Sequence, residues 1–244
     1  MKAALALMSL ALALGILAPR VEGAVGRLEF SDPSRDREIP AAIYEPTADQ
    51  RPPRLAIISA GYGVPDTEYS FLATALCRLG FLVACMQHHH PADAPLAQAG
   101  DLRALRLPAW QTGARDLEFV LTELRRTRPS LDTARPVLIG HSNGGDIACL
   151  FATSHPAALE CLITLDHRRM PLPRIAGLRC LSIRAAEFEA DPGVLPIPEE
   201  ANTRDISIVL LTGTKHMDLT DRGPASTRQA VVELVTRFVA PPIP

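Results

Sequence analysis

Short apolar runs alternate with longer amphipathic stretches along most of the chain. The runs at 26–30, 39–44, 54–60, 81–86, 136–141, 160–166, 178–184 and 206–212 are rich in valine, isoleucine and leucine and predict strands. Between them, 66–79, 112–127, 143–154 and 224–239 predict helices. In the second of these, Ala114, Leu117, Val120, Leu121 and Leu124 fall on one stripe at helical spacing. Most of the strand runs are apolar throughout rather than alternating, which is the pattern of strands covered on both faces. Strands of that kind separated by helices predict an α/β chain built from parallel βαβ units. The proline-rich segments 91–108 and 192–198 read as loops beside strand ends. No internal repeat and no low-complexity linker interrupts the pattern.

The N-terminus departs from it. Lys2 is followed by an apolar stretch through Ala18, then by Val21-Glu22-Gly23-Ala24. A basic start, an apolar core and a small-residue cleavage site predict a signal peptide over 1–23, cut at Gly23/Ala24. The stretch falls short of the roughly 20 residues a membrane span needs, and no later run reaches that length. The expectation is one domain over 24–244, exported to the periplasm or secreted.

Composition narrows the class further. The chain has 244 residues, 47% of them apolar and 21% charged, which suits a folded domain with a real core. A formal charge of −2 with no basic run argues against a nucleic-acid surface. The five cysteines, Cys77, Cys85, Cys149, Cys161 and Cys180, are odd in number and lie in or beside predicted elements. They read as small buried hydrophobes rather than as a disulfide framework or zinc ligands.

The sharpest chemical signal is VLIGHSNGGDIACLF at 137–151, a strand that runs through Gly140-His141-Ser142-Asn143-Gly144 into a helix. This is G-x-S-x-G in the strand–turn–helix setting that gives the motif its meaning. Residues without side chains on either side of the serine let strand and helix approach. Ser142 then projects from the strand end, and the backbone N–H of Asn143 faces the place where an oxyanion would form. A second amide donor is expected from Tyr62, in the turn Gly61-Tyr62-Gly63 after strand 54–60. A serine needs a base, and the base an acid. His216, in the loop after the last predicted strand, is the favoured base, while His155 reads as a helix-capping residue. The run Leu162-Ile163-Thr164-Leu165 ends on Asp166, which makes that carboxylate one candidate acid; Asp191 and Glu187 are the others.

From about Ala56 to His216 the chain resembles the α/β-hydrolase family, and within it the serine esterases of the platelet-activating-factor acetylhydrolase and dienelactone hydrolase kind. The likeness is carried by Gly61-Tyr62-Gly63, by GFLVACMQHHHPAD at 80–93, by the elbow, by ITLDHRRMPLPR at 163–174 and by His216. It implies the α/β-hydrolase fold with a mostly parallel sheet, a small-molecule ester of short or medium acyl chain as partner, and no cofactor or metal. Where that group has His-Gly at the oxyanion loop, this chain has Ala60-Gly61. The resemblance admits two places for the acid. Asp166 matches one; Asp191, in EADPGVLP at 189–196, matches the other. Asp166 is preferred because a strand end is rigid, but Asp191 stays open. Too few residues separate Asp166 from the next strand to hold a cap domain.

Four further features have expected roles. His88, His89 and His90 read as pocket-rim residues, since adjacent histidines on an extended chain cannot all face one ion. Arg168, Arg169 and Arg174 could bind an acidic substrate, but pairing with carboxylates such as Glu187, Glu189 and Asp191 is the preferred reading. Asp218 is expected to orient the His216 loop. Trp110, the one tryptophan, gives no sign of an aromatic platform for polymers. The same triad suits an acyltransferase or an amidase, and a non-catalytic binding protein on this fold is the alternative from a different class.

Overall fold

The computed structural model describes residues 25–47 and 52–240, so the expected signal peptide and its cut at Gly23/Ala24 lie outside the described residues. Eight strands form one sheet: β1 Val25–Asp32, β2 Arg37–Tyr44, β3 Arg54–Ser59, β4 Phe81–Met86, β5 Asp132–His141, β6 Cys161–Leu165, β7 Arg179–Ala185 and β8 Ile206–Leu211. Their spatial order is β1-β2-β4-β3-β5-β6-β7-β8. β2 runs antiparallel to both neighbours, and every pair from β4 to β8 is parallel. Each strand overlaps one of the predicted runs.

Among the described residues five α-helices flank the sheet: α1 Ser70–Arg78, α2 Leu102–Thr127, α3 Asn143–Ser154, α4 Pro198–Thr203 and α5 Ala225–Val239. The apolar strand runs have the physical origin expected of them. Leu82, Ala84 and Met86 of β4 pack with Trp110, Leu117 and Ile147 of α2 and α3, while Phe81, Val83 and Cys85 pack on the other face with Leu72, Leu76 and Val235 of α1 and α5. A period of two therefore feeds two cores, and no position on β4 is left for a polar residue. All five cysteines are buried and unpaired. Burial raises the thiols of Cys77, Cys161 and Cys180 to about 12, which keeps them protonated and inert.

Three boundaries differ from the sequence reading. The loop expected over 91–108 ends at Asp101, whose carboxylate accepts the Ala104 N–H at 3.0 Å and caps α2. Pro108 lies inside that helix. Its missing donor costs a helical bond, but Arg106 and Trp110 are buried along the same face, and packing outweighs local propensity. Pro198 opens the short helix α4 at its first turn, where a proline loses nothing. α1 starts at Ser70 rather than at 66, because its first N–H groups, on Ser70 and Phe71, donate to Asp221 from far along the chain.

No helix or strand interrupts the connection from Asp166 to Leu178, so no cap domain stands over the carboxyl ends of the strands. Among the described residues no helix is long and apolar enough to cross a membrane.

Candidate active site

β5 and α3 meet at Ser142 with almost no room between them. A methyl group on Gly140 would lie 2.5 Å from the Gly144 carbonyl oxygen and 2.6 Å from Gly145 Cα. One on Gly144 would collide with the backbone oxygens of Ser59 and Ala60. With those two positions bare, Ser142 is held at φ 53°, ψ −121°, a left-handed conformation that costs a non-glycine residue on the order of 1–3 kcal/mol. Its N–H donates to the Leu165 carbonyl at 2.9 Å, and its carbonyl accepts the Asp146 N–H at 3.1 Å. The strained turn is thus pinned to β6 on one side and to α3 on the other.

The loops after β5, β6 and β8 bring three side chains into line. Ser142 Oγ lies 2.9 Å from His216 Nε2, and His216 Nδ1 lies 2.6 Å from Asp166 Oδ2. Asp166 is fully buried and also has positive φ, at 50°. Its other oxygen accepts the Ala185 N–H at 3.2 Å and faces the Arg184 guanidinium at 2.9 Å. Burial alone would raise its pKa. The hydrogen bond from His216 and the charge of Arg184 outweigh that effect and hold the carboxyl below its ordinary value. His216 sits in a short 3₁₀ turn, His216–Leu219, and its own N–H donates to Glu187 Oε2 at 2.8 Å.

A cavity of about 290 Å³ reaches Asn143, the residue after the serine, though neither Ser142 nor His216 lines it. Tyr62 and Asn143, whose amides were expected to face an oxyanion, both line it. Leu96, Leu105, Pro108 and Ile147 make its apolar wall, and Arg37, His88, His89 and Asp93 its polar end. Asn143 is the first residue of α3, so its N–H has no partner within the helix. Its side-chain oxygen accepts the indole N–H of Trp110 at 2.8 Å.

The other sequence candidates take up different places. Among the described residues no hydrogen bond joins Asp191 to His216; the Asp191 N–H donates to the Arg168 carbonyl and its carbonyl accepts from Val194. Glu187 meets the backbone of His216 rather than its ring. Asp218 accepts the Lys215 N–H at 2.9 Å and so shapes the His216 turn. His155 ends α3, its N–H on the Phe151 carbonyl and its ring stacked on Phe151. His88 is buried, with Nε2 2.6 Å from Ser59 Oγ, and His89 packs edge-on against Tyr62. His90 is turned away and accepts the Ala92 N–H.

The arginine expectation holds in kind for Arg174, with a different partner, and needs correcting for Arg168 and Arg169. Arg174 pairs with Glu200 at 2.9 Å, and among the described residues none of the three forms an ion pair with Glu187, Glu189 or Asp191. The buried Asp146 side chain accepts the N–H groups of Arg169 and Met170, both at 2.9 Å, and so ties the strap after Asp166 to α3. On that path the Arg168 guanidinium lies over the Phe188 ring, 4.4 Å from its centroid. Phe188 in turn presents an edge to His216.

Trp110, Arg184 and Phe188 were not read as site residues. Arg184 carried a usable signal, as the one charge inside the apolar stretch Cys180–Ala185. Trp110 and Phe188 carried none, since only the fold brings them near Ser142.

No family model matches the chain, and no curated protein matches it in sequence. Solved structures do match it in three dimensions. A ferulic acid esterase from Streptomyces cinnamoneus superposes with a TM-score of 0.64 at 18% identity, over 91% of this chain and 91% of that one. A lidless α/β serine hydrolase from Xanthomonas campestris gives 0.59 at 20% identity, over 89% and 97%. The chain has the α/β-hydrolase fold. A dienelactone hydrolase from Anabaena variabilis superposes with a TM-score of 0.59 at 12% identity, over 89% and 97%. Within this fold, Ser142 occupies the strand-to-helix turn, and the strand ends around it carry the residues described above.

Proposed function

We propose that the protein is a serine esterase that cleaves carboxylic esters of small molecules. Ser142 is the nucleophile, His216 the general base and Asp166 the acid behind it. The observation that carries this reading is the continuous line from Asp166 Oδ2 to His216 Nδ1 at 2.6 Å and from His216 Nε2 to Ser142 Oγ at 2.9 Å. His216 takes the Ser142 proton as Oγ attacks the ester carbonyl, and the new imidazolium is stabilised by the buried Asp166 carboxylate. The amides of Tyr62 and Asn143 receive the negative charge on the carbonyl oxygen. His216 then gives its proton to the leaving alcohol, which departs as the acyl-enzyme forms. Water attacks that ester with His216 again as base, and the carboxylic acid leaves.

A cavity of about 290 Å³ lies at the small end of ligand pockets, which favours short or medium acyl groups. The esterase and lactone-hydrolase names of the structural neighbours agree with this chemistry. The proposal includes export, which N-terminal sequencing of the secreted protein tests by finding Ala24 first.

Labelling with a fluorophosphonate tests the assignment of the nucleophile. The folded protein should take up one label on the peptide containing Ser142, and Ser142→Ala should take up none. A folded, unlabelled wild type would favour a binding protein on this fold. Turnover of matched ester, thioester and amide substrates, with alcohol acceptors added, separates a hydrolase from an amidase or an acyltransferase.

A further inference from the structure

The residue before the nucleophile has no place in the proposed proton path, yet it touches two other parts of the site. His141 ends β5 with no exposed surface. Its Nδ1 lies 2.9 Å from the Tyr69 hydroxyl, and its Nε2 lies 3.2 Å from the carbonyl oxygen of His216. Tyr69 is also fully buried, and its oxygen accepts the Gly61 N–H at 2.9 Å.

The two ends of this line dictate where the protons sit. The Gly61 N–H can only donate, so the Tyr69 oxygen accepts there and has its one hydrogen free for His141 Nδ1. The His216 carbonyl can only accept, so His141 Nε2 must carry a hydrogen. His141 is therefore neutral, protonated at Nε2 alone. Burial and the neighbouring His216 push its pKa down to about 3, which keeps it so. Burial likewise raises Tyr69 above its ordinary value and preserves its hydroxyl hydrogen.

We infer that His141 is a positioning residue that ties the oxyanion loop and the base loop to the nucleophile elbow in a single register. The inference rests on the esterase reading. Gly61 adjoins Tyr62, the expected oxyanion donor, and a methyl group on Gly61 would come within 3.0 Å of His141 Nδ1. At the other end the partner is the backbone of the base itself. The His141 ring also lies beside the His216 ring, with centroids 4.8 Å apart and a tilt of 33°. His216 becomes a cation during acyl transfer, so the group beside it must not be charged. The neutral tautomer enforced by Tyr69 meets that need while still holding the His216 carbonyl.

The test uses full-length mature protein and three variants. His141→Leu fills the space and makes neither hydrogen bond. His141→Gln can return the donor to the His216 carbonyl, and His141→Asn only the acceptor for Tyr69. Two quantities are read: kcat and KM on p-nitrophenyl acetate, and the low-field proton NMR signal of His216 Nδ1–H, which reports its hydrogen bond to Asp166 with no substrate present. In His141→Leu, kcat should fall roughly 10- to 100-fold at nearly constant KM, the scale of a small misplacement of reacting groups. The low-field signal should shift or vanish, and His141→Gln should recover more of both than His141→Asn. A folded His141→Leu with wild-type kcat and an unshifted signal overturns the inference. If His141→Leu does not fold, Tyr69→Phe, which removes one oxygen, carries the same expectation and the same refutation. Failure of the esterase reading would show separately, as absent turnover in the wild type, while the NMR signal still tests whether His141 sets the base.

Discussion

Lowering the pH from 7 to 5 should cost the folded protein about 3 kcal/mol of stability. Two buried histidines produce the loss, and a buried aspartate offsets part of it. His141 and His167 have no exposed surface, and burial, the first cause for both, pushes each pKa down to about 3. In the unfolded chain they titrate near the ordinary histidine value of about 6.5. As the pH falls below that value the unfolded state binds protons that the folded state refuses, and stability drops. Each histidine costs about 2 kcal/mol over this interval by that linkage. Asp146 works the other way. Burial raises it to about 6, so the folded state gains a proton before the unfolded state does and offsets about 1 kcal/mol of the loss. Urea denaturation at pH 7, 6 and 5 and constant ionic strength measures the difference. His167→Leu should remove about 2 kcal/mol of the pH dependence. Stability constant to within 1 kcal/mol between pH 7 and 5 would refute the reasoning, because it would mean that the two histidines are not held neutral.

Other substitutions address single contacts. Trp110→Phe removes the indole N–H that bonds the Asn143 side chain and leaves a gap where the second ring was fully buried; stability should fall by about 2 kcal/mol or more in urea titration, and kcat should fall several-fold with little change in KM. Arg184→Met leaves the buried Asp166 without its guanidinium, and thermal and urea unfolding should show a loss of about 3 kcal/mol or more. Gly140→Ala sets a methyl group against backbone on α3, which cannot yield as a side chain would. A loss of about 3 kcal/mol, together with loss of fluorophosphonate labelling, is expected.

Where hydrophobic pattern alone decides structure, the sequence was a good guide. The six inner strands and the bodies of α1, α2, α3 and α5 follow from runs that are buried on two faces or along one stripe, while the edge strands β1 and β8, whose Leu28, Ile208 and Leu210 are exposed, follow from β-branched and apolar content alone. Where a distant residue decides, it was not. Asp221 sets the start of α1, and packing of Arg106 and Trp110 carries α2 through Pro108. That Ser142 and His216 come together could be read from a glycine-flanked serine at one strand end and a histidine in the loop after the last strand. Local reading left the acid open, since Asp166 and Asp191 both follow strands; only the fold shows which carboxylate lies against the His216 ring. Arg184, Trp110 and the Tyr69–His141 line act through contacts between elements far apart in the chain, and no local spacing announces them.

The most direct measurement is steady-state turnover of p-nitrophenyl acetate by Asp166→Asn beside Asp191→Asn. Asparagine at 166 keeps the shape but presents the wrong partner to His216 Nδ1, and kcat should fall by about 10⁴-fold, the scale of that change in Ser-His-Asp hydrolases. Asp191→Asn should stay within about twofold of wild type, since among the described residues no hydrogen bond joins Asp191 to His216. Near-wild-type turnover by Asp166→Asn, or a collapse in Asp191→Asn instead, would contradict the account.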